Sequence, residues 1–244
     1  MKTLKIGELK KTSMIKQLSY PSGEENYGRE LIKELEELGV DSIYFDDGDV
    51  LKVGKGYRAI VILVHKDCNR LAAKVRRTDA GIDSLRHEAE ITQEANRYGI
   101  GPTIYGWTKN IILMEYIEGE SFDKWIGEVK DVGSLKKVLT ECLNQARRLD
   151  EVGIDHGELH EAKKHIIVGH EGKVWIIDFG KASILRKPRN VTSLFSYLTH
   201  GPHSRKILSM LGVKKPPIEY ARRYKERMDN ESYSMLLRSL GLGE

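Results

Sequence analysis

The stretch that decides the fold is "DHGELHEAKKHIIVGHEGKVWIIDFGKAS", residues 155–183. It ends on an apolar run, Trp175-Ile176-Ile177, followed by Asp178-Phe179-Gly180. A carboxylate between an apolar strand and a Phe-Gly suits a hard divalent cation, which takes oxygen ligands. Upstream, His156-Gly157-Glu158 places an acid in a polar loop ahead of "HIIVG" and "KVWIID", which read as a hairpin-like pair of strands. Taken alone, Asp178 could also be an aspartate that starts a turn after a strand, so the reading depends on what else lies along the chain.

Working back from this stretch, "SLKKVLTECLNQARRLDEVG" puts Leu135, Val138, Leu139, Cys142, Ala146 and Leu149 at helical spacing. "NIILMEYIEGES" is an apolar strand running into a polar linker. It contains Met114, Glu115 and Ile117, and read alone it is a strand end and a turn. "DSLRHEAEITQEANRYG" predicts a helix from near Asp83 to near Gly99, with Glu88 in its first half. Before it, "SIYF", "VLKVG", "AIVILVHK" and "RLAAKVRR" are short β-type runs separated by turn-like "DDGD", "GKGY" and "KDCN", which predicts an antiparallel sheet. Lys74 lies inside the last of these runs, where a buried ammonium would need a partner. Glu88 and Glu94 are the candidates, and a lysine snorkelling to water is the plain alternative. Ahead of the sheet, Ser22 and Glu25 have capping-box spacing, followed by Tyr27, Leu31, Leu35 and Leu38 on one helix face and Gly39 at its end.

Bulk properties limit the function classes. A chain of 244 residues that is 40% hydrophobic and 31% charged is an ordinary globular protein. With no long apolar run and with lysines interrupting the first aliphatics, neither a membrane span nor a signal peptide is expected, and the chain reads as cytoplasmic. Cys68 and Cys142 lack metal-ligand spacing and read as free thiols. Charge is uneven: residues 181–244 hold 13 Lys and Arg against 5 Asp and Glu, while residues 1–180 are net −4. That points either to a solvated basic surface or to an RNA or acidic partner.

The parts then fall into an order. Gly54 and Gly56 sit in a turn between strands, with Ala59 where a third glycine would often stand. They are followed by Lys74, Glu88, Met-Glu-Tyr at 114–116, His-Gly-Glu at 156–158, and Asp-Phe-Gly at 178–180. Singly weak, together and in sequence these resemble a protein kinase. The closest resemblance is to the RIO and KEOPS-associated atypical kinases and a family of compact archaeal predicted serine/threonine kinases. It covers about residues 45–185 well. No Ala-Pro-Glu follows Asp178, which implies a reduced C-lobe without the long activation segment.

The resemblance implies a two-lobed α+β fold: an N-terminal extension with a helix over 1–40, a small antiparallel-sheet N-lobe over 41–117, and a mainly helical C-lobe over 118–244. It further implies Mg-ATP bound between the lobes. Gly54 and Gly56 would cover phosphates and Lys74 would reach the α and β oxygens, held by Glu88. Glu115 and Ile117 would bond the adenine edge with Met114 behind, and Asp178 would hold the metal. The catalytic loop departs from the family pattern. Its acid is Glu158 rather than Asp, and Lys163 stands where the fifth-residue count expects Asn. His165, thirteen residues before Asp178 and directly ahead of "IIVG", matches the family's Asn by position, so the metal site could accept Mn²⁺ as well as Mg²⁺. His160 could reach phosphate or brace the loop, and Lys163 and Lys164 are either phosphate-facing or solvated. The expected activity is serine/threonine kinase or ATPase, against a pseudokinase or nucleotide-gated binding factor, or a small-molecule kinase.

Overall fold

The computed structural model of the chain describes residues 1–243. It divides into two compact units, Met1–Gln93 with Pro102–Tyr116, and Glu94–Gly101 with Ile117–Glu244.

The first unit is built on eight strands: β1 (Lys2–Lys5), β2 (Ser42–Asp46), β3 (Asp49–Val50), β4 (Lys52–Lys55), β5 (Ala59–Lys66), β6 (Asn69–Arg76), β7 (Ile104–Trp107) and β8 (Ile111–Glu115). They form an antiparallel sheet in the order β1-β2-β5-β6-β8-β7, with β3 on β2 and β4 on β5. Three helices come from the first forty residues: α1 (Ile6–Leu9), α2 (Ile15–Leu18) and α3 (Glu25–Glu37). This segment does not stand apart from the sheet, because β1 pairs with β2 and Leu31, Ile32 and Leu35 of α3 join the core of the unit. The capping box is not formed. Glu24 is the N-cap, and the Ser22 hydroxyl instead accepts from the Glu24 amide at 3.2 Å, because the helix starts two residues later than the serine spacing requires.

Strand periodicity sets what each face carries. Ile60, Ile62 and Val64 of β5, Leu71, Ala73 and Val75 of β6, and Ile111 and Leu113 of β8 share one core with α3. The intervening residues face the other way, where Ile112 and Met114 pack with Leu85 and Ala89 at the start of α4 (Arg86–Asn96). Lys74, between Ala73 and Val75, belongs to this second face.

The second unit is mainly helical: α5 (Phe122–Glu128), α6 (Val132–Glu151), α7 (Ala162–His165), α8 (Asn190–His200), α9 (Ser204–Leu211), α10 (Ile218–Arg227) and α11 (Asn230–Ser239). A small sheet runs β11 (Val174–Ile176), β10 (Ile166–Gly169), β9 (Gly119–Ser121). The helical spacing read in α6 is its buried face, from Leu135 to Leu149. Next to Leu149 on that helix, Asp150 is buried and serves as a cap for α8. Its oxygens accept from the Asn190 amide and side chain, both at 2.8 Å, and from the Tyr224 hydroxyl at 2.9 Å. Burial raises the Asp150 pKa, and these donors pull the other way. No helix among the described residues is long and apolar enough to cross a membrane.

Candidate functional site

In the first unit, Lys74 on β6 and Glu88 on α4 form an ion pair. Both side chains are nearly buried, at 12% and 10% exposure. The pairing follows from two periodicities. β6 alternation turns Lys74 to the face on which α4 packs, and on α4 Glu88 lies beside buried Ala89 and one turn from buried Thr92. Thr92 donates its hydroxyl to the Glu88 carbonyl at 2.7 Å. Glu94, the other candidate, pairs with Arg97 at 2.8 Å.

Of the two glycines read as a turn, Gly54 lies within β4, paired with Val61, and only Gly56 is in the turn, which is short. The Gly56 amide donates to the Ala59 carbonyl at 2.8 Å, and the Gly56 carbonyl accepts from Arg77 at 2.9 Å. Gly54 packs on Val61, whose side chain a Cβ at 54 would meet at 3.3 Å. Ala59 is buried at the start of β5. Along β8, the Glu115 amide is spent on the Thr103 carbonyl at 2.8 Å, and its carboxylate accepts from the Thr103 amide at 3.1 Å. Met114 is half-buried against the small cluster of Leu85, Ala89 and Ile112. Ile117 is half-buried and opens the second unit.

In the second unit the loop and the Asp-Phe-Gly segment are tied by several crosslinks. Asp155 and Ser183 exchange two backbone hydrogen bonds, at 2.9 and 2.8 Å. Arg186 donates to Asp155 Oδ2 at 2.9 Å and to the Lys181 carbonyl at 2.6 Å. Gly157 takes φ +84°, and a Cβ there would stand 2.8 Å from Arg186 Nη2 and 2.9 Å from the Lys181 carbonyl, so only glycine fits. The turn delivers Glu158 to Lys181, whose ammonium donates to its carboxylate at 2.8 Å.

His156 anchors this loop from inside. Its amide donates to Asn190 Oδ1 at 2.8 Å, Nε2 lies 3.0 Å from the Ile177 carbonyl, and Nδ1 accepts from the Glu158 amide at 3.4 Å. One neutral tautomer, protonated on Nε2, meets both ring contacts. Full burial, reinforced by the charge of His165, brings its pKa down to about 4. Its ring stands edge-on to Phe179 and His165, with centroids 5.0 and 5.3 Å away.

His165 ends α7 and is buried. Its Nδ1 has no hydrogen-bond partner and lies 4.0 Å from Asp178 Oδ2, too far for a hydrogen bond. Burial lowers its pKa, while the Asp178, Glu158 and Glu161 carboxylates oppose that shift. Asp178 itself is left-handed, at φ 67° and ψ 70°, a conformation costly for a non-glycine residue and concentrated at functional sites. Its side chain is 45% exposed. His160 is exposed, Lys163 half-buried, and Lys164 pairs with Glu161 at 2.7 Å.

Asp178 and His165 thus come together, with Glu158 on the same tied segment. Lys181 was not among the residues singled out from sequence, although a lysine three places after the aspartate was there to be read. Among the described residues no three His, Cys, Asp or Glu side chains group to hold a metal. A Mg²⁺ bound with a nucleotide needs no such cage, since one or two carboxylates, phosphate oxygens and water complete its octahedron. The half-exposed Asp178 carboxylate fits that requirement.

The family model described as RIO domain matches residues 64–196, just over half of the chain. The match includes Lys74, Glu88, Glu158, His165 and Asp178 and leaves out Gly54 and Gly56. An uncharacterized protein of Methanocaldococcus jannaschii is 30% identical over 118 residues, 46% of this chain and 99% of that protein. A probable bifunctional tRNA threonylcarbamoyladenosine biosynthesis protein of Methanospirillum hungatei is 34% identical over 110 residues, 41% of this chain. The chain spans only 17% of that second relative. A kinase domain of known crystal structure superposes with a TM-score of 0.45 at 19% identity, covering 55% of this chain and 50% of that one.

Proposed function

Since this chain belongs to the RIO-domain family of atypical kinases, we propose that it is an ATP-dependent serine/threonine protein kinase that transfers the γ-phosphoryl group to a hydroxyl. The observation that carries the reading is the buried Lys74–Glu88 pair, two charges withdrawn from water at a cost that a purely structural role does not explain. In this reading Glu88 holds the Lys74 ammonium in place for the α and β phosphate oxygens. The adenine edge is met by the carbonyl of Glu115 and the amide of Ile117, because the Glu115 amide is already donated. Gly54 and Gly56 let backbone approach the phosphates.

Asp178 would hold Mg²⁺, which when bound neutralises charge on the phosphate oxygens. His165 is buried while Asp178 is half-exposed, which supports a single ion on Asp178 with the imidazole beside it rather than a second ion on nitrogen. Glu158 orients the acceptor hydroxyl and takes its proton as the oxygen attacks the γ-phosphorus and the bond to ADP breaks. Lys181 donates to that carboxylate at 2.8 Å and holds its direction.

A second reading, ATP hydrolysis gating a binding partner, is favoured by the altered catalytic loop, where Glu158 and His165 stand in place of the family's Asp and Asn.

The test is transfer of labelled γ-phosphate from ATP, with hydrolysis followed in parallel. The wild type is compared with Lys74→Ala and Asp178→Ala, in Mg²⁺ and in Mn²⁺, together with His165→Asn. Transfer lost in both alanine variants supports the kinase. Nucleotide binding with hydrolysis but no transfer to any protein moves the reading to the gated factor. Faster transfer in Mn²⁺, with Mg²⁺ activity restored by His165→Asn, would place a second ion on His165.

A further inference from the structure

A cavity of about 560 Å³ in the second unit is lined by Lys187, Pro188, Arg189, Arg222, Lys225 and Glu226. Lys187–Arg189 belong to the segment that leaves the Asp-Phe-Gly stretch, and Arg222 and Lys225 lie one turn apart on α10. Four cations and one carboxylate therefore converge on one concavity.

The pairing state of these charges separates them from their neighbours. On the same helix, Arg223 reaches Glu231 at 3.2 Å, and Arg227 reaches Asp229 and Glu231 at 2.7 and 2.8 Å. Earlier on the same segment, Arg186 is spent on Asp155. Among the described residues the side chains of Lys187, Arg189, Arg222 and Lys225 make no ion pair or hydrogen bond, and Glu226 pairs with none of them. α10 thus divides its basic residues into a face neutralised internally and a face left charged toward the cavity. Four cations against the single carboxylate of Glu226 leave the concavity with an excess of positive charge, so the arrangement favours an external anion.

The segment that brings Lys187 also displays Ile184 at 65% and Leu185 at 93% exposure. Aliphatic side chains held in water next to a basic cavity suit a protein ligand. A single-stranded nucleic acid would be met by stacking aromatic rings, and neither this segment nor the cavity lining contains one.

We propose that this cavity, with Ile184 and Leu185 upstream of it, is a docking site for an acidic segment of a partner protein, whose carboxylates face the four cations and whose aliphatic side chains cover the exposed pair. The site does not depend on phosphoryl transfer, and its test reads binding alone.

The probe is a fluorescein-labelled peptide alternating Glu and Leu, followed by anisotropy on the full chain at low and at moderate salt. Its twin with Gln for Glu and an RNA hairpin are run beside it. The Glu peptide should bind, more weakly as salt rises, and about tenfold more tightly than the Gln twin. Arg222→Glu with Lys225→Glu should weaken it by about tenfold or more, whereas Lys214→Glu with Lys215→Glu, the same change in net charge away from the cavity, should cost less than about threefold. Leu185→Ser should weaken the peptide and leave an all-Glu peptide unaffected. All these positions are exposed, and matching melting curves will show that the variants fold. Equal losses in the two double variants, or no binding at low salt, would overturn the proposal. So would tighter binding of RNA through the same cavity residues, which would make the surface a nucleic-acid site.

Discussion

Two charge pairs, one in each unit, are held in opposite ways. Lys74 and Glu88 sit on a strand and a helix, nearly buried, each placed by the period of its own element. Glu158 and Lys181 sit on irregular backbone at 21% and 59% exposure, and what places them is a set of crosslinks between two loop segments. The first pair is fixed by packing and the second by its backbone. It follows that removing charge should damage the first most, and disturbing backbone should damage the second most.

The largest expected effect is on the buried pair. Glu88→Leu withdraws the carboxylate from an ammonium in a low-dielectric setting, and should cost about 3–5 kcal/mol in urea unfolding. Adding Lys74→Met should recover most of that loss, because an apolar pair of similar volume has no desolvation cost. A double variant as unstable as the single would show that packing, not charge, is what Glu88 provides.

For the loop, the buried His156 gives a pH signature. Its folded pKa near 4 lies below the ordinary 6.5, so between those values the unfolded chain binds the proton and the folded one does not. Stability is therefore full above about pH 6.5 and falls as pH drops toward 4, by about 3 kcal/mol in all. His156→Phe should remove that slope from urea midpoints measured across the range, whatever it does to the midpoint at neutral pH.

Gly157→Ala tests the backbone directly. The positive φ and the contact with Arg186 and the Lys181 carbonyl should together cost about 1–3 kcal/mol in thermal unfolding, more than either charge of the neighbouring pair. The smallest effect on stability belongs to Lys181→Ala, under about 1 kcal/mol, since the lysine end of the pair is mostly in solvent. Its effect on phosphate transfer should be larger, about tenfold or more if Glu158 acts on the acceptor hydroxyl. A variant that loses a great deal of stability but no activity would reverse the comparison.

What could be read in advance follows the same division. The sheet strands and α6 were legible because alternation and helical spacing are local, whereas those patterns left Glu88 and Glu94 both open as partners of Lys74 and the resemblance chose Glu88. β7 escaped because Gly106 and a register shift against β8 interrupt a strand of four residues. β9, Gly119–Ser121, is polar, and only its pairing with β10 makes it a strand. α1, α2 and β1 are four-residue elements, too short to show a period. Asp178 could be named from its neighbours, but the Glu158–Lys181 contact depends on Gly157 and Asp178 both turning left-handed, and no spacing rule carries that.

The double hydrogen bond between Asp155 and Ser183 has a kinetic side as well. It closes the base of a ring of chain that holds Glu158, His165, Asp178 and Lys181, and Arg186 ties the same corner a second time. Such a clasp opens as a whole or not at all, so the Asp155 and Ser183 amides should exchange with solvent deuterium at one shared rate. Arg186→Ala should speed both together. Proteolytic nicking anywhere along the ring should then track that exchange rate, since a protease needs slack that only the open clasp supplies.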